Sequence, residues 1–264
     1  MSDRRRFSLG LAFLLVGQGL MAQPHDPPSA ASTGPLRIAA AADLQPILPP
    51  LLREFEQQTG IHAEASFKSS ATLATQIING APFDLFLAAD MSFPQRVIEA
   101  GRAEESSPLP YARGTLVLWT RNDSRLPSLT PETLTSDAVR SIAIANPEHA
   151  PYGRAAQATL KSWRLLDQVR PKLRIAENIA QAAEYADSGN AQVGFISLTS
   201  ALTPRLKADG HFVRIPPQVH PPIVQGAVVV RHATHAQAAH RLLDFLRTPN
   251  IARTLAAEGL EPAS

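Results

Sequence analysis

Residues 36–90 read LRIAAAADLQPILPPLLREFEQQTGIHAEASFKSSATLATQIINGAPFDLFLAAD, and two periodicities alternate along them. Leu36 to Ala40 is a short apolar strand. Asp43 stands in an N-cap position, and Leu44, Ile47, Leu48, Leu51, Leu52 and Phe55 then recur at helical spacing up to Gly60. Pro46 falls in the first turn, where proline is tolerated, whereas Pro49 and Pro50 lie deeper and point to a kink. Ile61, Ala63, Ala65 and Phe67 alternate as a second strand. Ser69-Ser70 opens a helix that runs to Ile78 and stops at Asn79-Gly80. Asp84 to Ala88 is a third, buried strand.

The alternation continues outward. Phe93 to Ala100 is a helix closed by Gly101, and Leu116 to Thr120 and Ile142 to Ala145 are strands. The loop Asn146-Pro147-Glu148-His149-Ala150-Pro151-Tyr152-Gly153 precedes a helix to about Trp163. Ile179 to Asp187 is a short helix, Val193 to Ile196 and Val224 to Val230 are strands, and Ala236 to Leu246 is a helix. Such a series predicts an α/β fold of mainly parallel sheet with helices on both faces. Ligands of these sheets sit beyond the carboxyl ends of the strands, at helix N-termini. Three junctions there are small and hydroxylated, or proline-kinked: Ala41-Ala42-Asp43, Lys68-Ser69-Ser70-Ala71 and Pro151-Tyr152-Gly153. Each offers N–H groups without helical partners at the positive end of a helix dipole, which is anion-binding chemistry. Plain N-capping explains Asp43 and Ser70 equally well when each is taken singly.

Composition narrows the classes. The chain has 264 residues, 44% of them hydrophobic and 18% charged, as globular proteins do. It has no cysteine, which excludes disulfides, thiolate metal sites and cysteine nucleophiles. The formal net charge of +2 comes from residues 1–22, which hold Arg4, Arg5 and Arg6 against Asp3; the remainder is balanced. No basic stripe interleaved with aromatics is present, so a nucleic-acid partner is not expected. Arg4-Arg5-Arg6, the apolar run from Phe7 to Met21 and a cleavage point after Ala22 read as a signal peptide over 1–22. Residues 23–35, QPHDPPSAASTGP, read as a disordered leader. The mature protein is expected in the periplasm. No G-x-S-x-G elbow, H-E-x-x-H or P-loop occurs, so no enzyme is expected.

A family resemblance rests on five segments in order. Ala39-Ala40-Ala41-Ala42-Asp43-Leu44 resembles the first binding loop of periplasmic molybdate-binding proteins. Phe67-Lys68-Ser69-Ser70-Ala71-Thr72-Leu73-Ala74 resembles the second, followed by the family-like run from Gly80 to Asp90. Asn146 to Gly153 is similar to the proline-rich loop, and Ala176-Glu177-Asn178-Ile179 to the fourth binding segment. The resemblance covers nearly the whole chain from Leu36. It implies a two-lobed type II periplasmic binding protein. Lobe 1 would comprise 36–113 plus 225–264 and lobe 2 residues 114–224, with hinge strands near Gly114–Trp119 and Gln225–Val229. It also implies molybdate or tungstate as ligand, no cofactor, no free-cation site, a monomer, and an ABC transporter permease as partner.

Carried over by position, Ser70 would give its hydroxyl and N–H to the oxyanion, and Tyr152 and Ile179 their backbone N–H. Asp43 stands where the family most often has serine, and Ser197 where some members have a tyrosine. Asp43 is the departure that matters: each pair of unit charges about 4 Å apart repels by about 4 kcal/mol at an effective dielectric near 20. Three arrangements relieve this. Asp43 folds back to cap the N–H of Gln45, Lys68 neutralises it, or the ligand is another anion, an organic acid or a metal ion. Ser197 is too short to replace the tyrosine, and the hydroxyl of Tyr152 is expected to stand in. A periplasmic hydrolase is the alternative of another class. His62 and Glu64 read as a solvated edge, His149 as a loop-orienting residue, and Asp84 and Asp90 as caps or loop closures. Trp119 and Trp163 read as core, and Arg154 as facing solvent.

Overall fold

The computed structural model describes residues 34–126 and 128–263. The signal peptide expected over 1–22 and residues 23–33 of the expected leader lie outside them. Among the described residues the strands run in chain order as β1 (Leu36–Ala41), β2 (Ala63–Lys68), β3 (Leu85–Ala88), β4 (Leu109–Gly114), β5 (Leu116–Arg121) and β6 (Ile142–Ala145), then β7 (Leu173–Ala176), β8 (Val193–Ser197), β9 (Gly210–Arg214), β10 (Ile223–Val229) and β11 (Leu260–Glu261). The helices are α1 (Leu48–Thr59), α2 (Ser70–Ile78), α3 (Ser92–Glu99), α4 (Pro131–Thr135), α5 (Pro151–Ser162) and α6 (Leu166–Val169), then α7 (Ile179–Asp187), α8 (Leu198–Ala201), α9 (Pro204–Asp209), α10 (Ala236–Arg247) and α11 (Pro249–Ala257). Among the described residues no helix is long and apolar enough to cross a membrane.

The strands form two sheets, ordered β11-β4-β10-β3-β1-β2 and β7-β6-β8-β5-β9. Both are mixed rather than mainly parallel. In the first, β2, β1 and β3 are parallel and β10, β4 and β11 add on antiparallel. In the second, β7, β6 and β8 are parallel, while β5 pairs antiparallel with both β8 and β9. The chain passes from the first sheet to the second between β4 and β5 and returns between β9 and β10. The sequence reading passed over β4, β7, β9 and β11.

Alternation along the central strands builds two cores on the first sheet. Leu36, Ile38, Ala40, Leu85, Leu87, Ala227 and Val229 face α1, α10 and α11, with Phe55 and Phe245 tilted 5.5 Å apart between centroids. Ala39, Phe86, Ala88 and Val228 face α2 and α3 on the other side. Burial on both faces is why β3 and β6 read as unbroken apolar runs. Each fully buried Leu, Ile or Phe there contributes about 1.5–3 kcal/mol. In the second sheet Leu116, Leu118, Ile142, Ile144 and Phe195 pack with α5 and α7. Val117, Trp119 and Ile196 pack with Leu198, Ala201 and Leu206 of α8 and α9.

Two sequence expectations are corrected near Asp43. Residues Ala42–Leu44 form a separate 3-10 turn, with Asp43 inside it and Ala41 as its N-cap. The long helix begins only at Leu48, so Pro49 and Pro50 lie in its first turn and no kink is needed. Gly60 ends it at φ 72°, the left-handed conformation that glycine adopts without strain.

Candidate functional site

The carboxyl ends of β1 and β2 are in register at Ala41 and Lys68, and those of β6 and β7 at Ala145 and Ala176. The two edges face one another across a small cavity of about 10 Å³. Its walls are residues 41–43, 68–70 and Ala89 from the first sheet, and 150–152 and 178–179 from the second. Asp43, Ser70, Tyr152 and Ile179 therefore meet at one place, and all four are buried.

An account of the first N–H groups of α2 shows what it leaves free. Ser69 is the N-cap, and its Oγ accepts from Thr72 N at 3.2 Å. Leu73 N donates to Ser69 O at 3.1 Å, and Ala71 N crosses to the other lobe to donate to His149 O at 3.2 Å. The N–H of Ser70, first in the helix, has no helical partner. Ser70 Oγ accepts from Ala89 N at 3.1 Å, which leaves its own proton to donate. α7 repeats the pattern: Asn178 Oδ1 caps Gln181 N at 3.0 Å, and Ile179 is the first helical residue. α5 differs. Ala150 is its N-cap without a side-chain bond, Pro151 has no N–H, and Tyr152 supplies the first donor. Gly153 lets this helix lie against β6, since a Cβ there would come within 2.8 Å of the Ala145 and Asn146 carbonyl carbons.

Asp43 has 0% exposure, and its carboxylate neither caps Gln45 nor pairs with Lys68. Its Oδ2 accepts from Tyr152 Oη at 3.1 Å and closely from Gln225 Nε2. Tyr111 Oη donates to Gln225 Oε1 at 2.6 Å, so two tyrosines and an amide enclose the acid. Gln45 N donates instead to Ala42 O, and among the described residues Lys68 forms no ion pair. Burial pushes the carboxyl up from 3.8 to about 6, against the pull of the Gln225 and Tyr152 hydrogen bonds. Burial and the neighbouring Asp43 also raise both phenols well above 10, so Tyr111 and Tyr152 stay neutral donors. Tyr152 thus spends its hydroxyl on Asp43 and does not stand in for a ligand-facing tyrosine.

Ser197 is not brought to the cavity wall. Its Oγ caps α8 by accepting from Ser200 N at 3.3 Å, and lies 2.9 Å from the hydroxyls of Thr199 and Ser200. The chain of hydroxyls ends at Thr199 Oγ1, which donates to Asp43 O at 2.7 Å. The segment therefore holds the main chain of Asp43 in place. Sequence reasoning missed Gln225, Tyr111 and Thr199. The signal for Gln225 was an amide inside the apolar strand IVQGAVV.

The other singled-out residues are structural here. Asp84 accepts from Arg37 N at 2.8 Å and from His235 N at 3.1 Å, closing the loops at the far end of the first sheet. Asp90 Oδ1 accepts from Phe93 N at 3.1 Å at the start of α3. Its Oδ2 pairs with Arg154, which also lies 5.2 Å over the Phe93 ring, so Arg154 joins the lobes rather than pointing only to solvent. His62 and Glu64 sit at an exposed edge, and Trp119 is fully buried with Nε1 donating to Leu206 O at 3.1 Å. Larger cavities, of about 320 Å³ beside Arg37 and His235 and about 330 Å³ beside Arg113 and Pro216, lie away from the paired strand ends. Among the described residues no group of three or more His, Asp or Glu stands close enough to hold a metal ion.

With that geometry, the resemblance to known proteins is specific. The family model described as "Bacterial extracellular solute-binding protein" matches residues 36–261. The molybdate-binding protein ModA of Azotobacter vinelandii is 32% identical over 253 residues, 96% of this chain and 98% of that one. ModA of Rhodobacter capsulatus is 35% identical over 83% of this chain and 85% of its own. The solved structure of an Azotobacter vinelandii periplasmic molybdate-binding protein superposes with a TM-score of 0.79 at 30% identity, covering 85% of this chain and 98% of that one. The sulfate-binding protein SubI of Mycobacterium tuberculosis, at 17% identity and TM-score 0.71, shares the fold. The chain belongs to the bacterial extracellular solute-binding protein family, beside relatives named molybdate-binding protein.

Proposed function

We propose that this protein captures molybdate, and tungstate with it, outside the cytoplasm and delivers it to the permease of an ABC importer. The observation that carries the reading is the convergence of three helix starts from two sheets, at Ser70, Tyr152 and Ile179, on one buried cavity that Asp43 also lines. Uncharged donors at helix N-termini suit a dianion. The hydroxyl proton of Ser70 adds one more. The relatives named molybdate-binding protein supply the identity of the solute. The strands of 36–113 and 225–264 would move as one lobe against 114–224, about the two connections between the sheets. A cavity of about 10 Å³ has room for one water-sized sphere, so a tetrahedral oxyanion would ease the lobes apart as it seats. Ser197 is withdrawn from the contacts in this reading, and Thr199 supports Asp43 instead. The protein would act as a monomer without a cofactor, and its role ends at binding and release.

Thermal unfolding of residues 23–264 with each oxyanion tests this. Solute at about 100 times its Kd adds about 2.7 kcal/mol of stability, a rise of several degrees. Molybdate and tungstate should raise Tm while sulfate and phosphate do not. No rise with any oxyanion would overturn the reading.

A further inference from the structure

The hydrogen bonds around Asp43 decide where a proton on it can sit. Tyr111 Oη gives its proton to Gln225 Oε1, which turns Gln225 Nε2 toward Asp43 Oδ2. Tyr152 Oη donates to the same Oδ2. With two donors aimed at it, Oδ2 is an acceptor and a proton on this carboxyl belongs to Oδ1. Among the described residues that line the cavity, Asp43 Oδ1 is the one buried side-chain oxygen without a partner. A buried carboxyl oxygen left in that state is costly, and a bound oxyanion would bring the missing acceptor.

We infer that Asp43 takes part in capture as a neutral carboxylic acid whose Oδ1–H donates to an oxygen of the oxyanion, so that each dianion binds together with one proton from water. The inference rests on the oxyanion reading above. It turns the departure from serine into a small one, because a carboxylic acid offers the O–H donor that a serine would. Burial already favours the neutral form, with half-ionisation near pH 6, and a dianion at contact distance favours it further. The neighbouring groups do not compete for the proton. Tyr152 of α5 and Tyr111 of β4 remain neutral phenols, and Gln225 of β10 and Thr199 of α8 do not titrate. Lys68 of β2 is the exposed cation of the wall, and the acids of α7, Glu184 and Asp187, face the Gln45–Pro46 side of the turn.

Calorimetric titration with molybdate, in buffers of differing ionisation enthalpy, counts protons directly. Near pH 8 we expect close to one proton taken up per solute, and a Kd that rises about tenfold per pH unit between about pH 6.5 and 8.5. In Asp43→Asn the amide donates without taking up a proton, so uptake should vanish and Kd should flatten. Molybdate binding with no proton uptake and a flat Kd in the parent protein would overturn this inference alone and leave the oxyanion reading standing. A slope that persists in Asp43→Asn would also overturn it, by moving the proton elsewhere. No binding of molybdate or tungstate at any pH would remove the reading beneath it as well.

Discussion

Two of the four helix starts around the cavity carry a side-chain cap, and two do not. At α2 and α7, Ser69 and Asn178 satisfy an N–H three residues on and leave the first N–H without a helical partner. Each cap is local, spans three residues and holds no charge. The 3-10 turn at Asp43 and the start of α5 lack such caps, since Ala41 and Ala150 occupy the N-cap positions. There the chain is narrow enough for the two starts to meet, and Asp43 and Tyr152 bond across the lobes over a separation of 109 residues. One half of the cavity is thus fixed by short-range capping. The other is fixed by a buried acid network that joins both lobes to β10 and titrates.

The largest test of that contrast removes the titration. In the folded protein Asp43 ionises near pH 6, against 3.8 for an ordinary aspartate. Between those values the folded state keeps a proton that the unfolded chain has lost, so stability falls as pH rises through the window. Two pKa units correspond to about 3 kcal/mol, fully lost by pH 7. Without solute, Asp43→Asn should match the parent near pH 4 and exceed it by about 3 kcal/mol at pH 7, read from urea unfolding at both pH values. Equal stabilities at pH 7 would mean that the network compensates the charge in full.

A smaller effect comes from crowding the same half. A Cβ on Gly114, at the end of β4, would overlap Tyr152 Oη and stand 2.8 Å from its Cζ. Gly114→Ala therefore pushes the phenol off Asp43. Overpacking of this kind costs about 1–3 kcal/mol, and the loss of a donor to Oδ2 moves the Asp43 titration upward. Unchanged stability would show that the ring has room to retreat.

The capped half was also the legible half. The helix openings at Ser69-Ser70 and at Ile179 were read from an apolar period nearby, although the cap of α2 is Ser69 rather than Ser70 and the cap at Asn178 was not read. The uncapped half misled for the same reason. An aspartate ahead of an apolar period looks like a cap, and nothing nearby shows that its partners are Tyr152 and Gln225, 109 and 182 positions away. Among strands, β3 and β6 were legible because burial on both faces leaves an unbroken apolar run. β4 hid behind Pro110, and β7 and β9 are the partly polar edges of the second sheet. The sheets are mixed because the unread strands β4, β9 and β11 pair antiparallel, and because β5 and β10, legible as strands, run antiparallel to β8 and β3.

The smallest expected effect sharpens the comparison by weakening the capped half on each side. Ser69→Ala and Asn178→Ala each remove one acceptor from a helix start, at a cost of about 1 kcal/mol. They differ in reach. Ser69 lies beside Ala71, whose N–H bonds to His149 across the lobes, whereas Asn178 serves only α7 and its own lobe. Hydrogen exchange should therefore show faster opening of α2 together with the 146–153 loop in Ser69→Ala. In Asn178→Ala it should show faster opening of α7 alone. Neither change should move the pH dependence of stability, because neither cap touches Asp43. If either one does, the two halves of the cavity are coupled and the division between them fails.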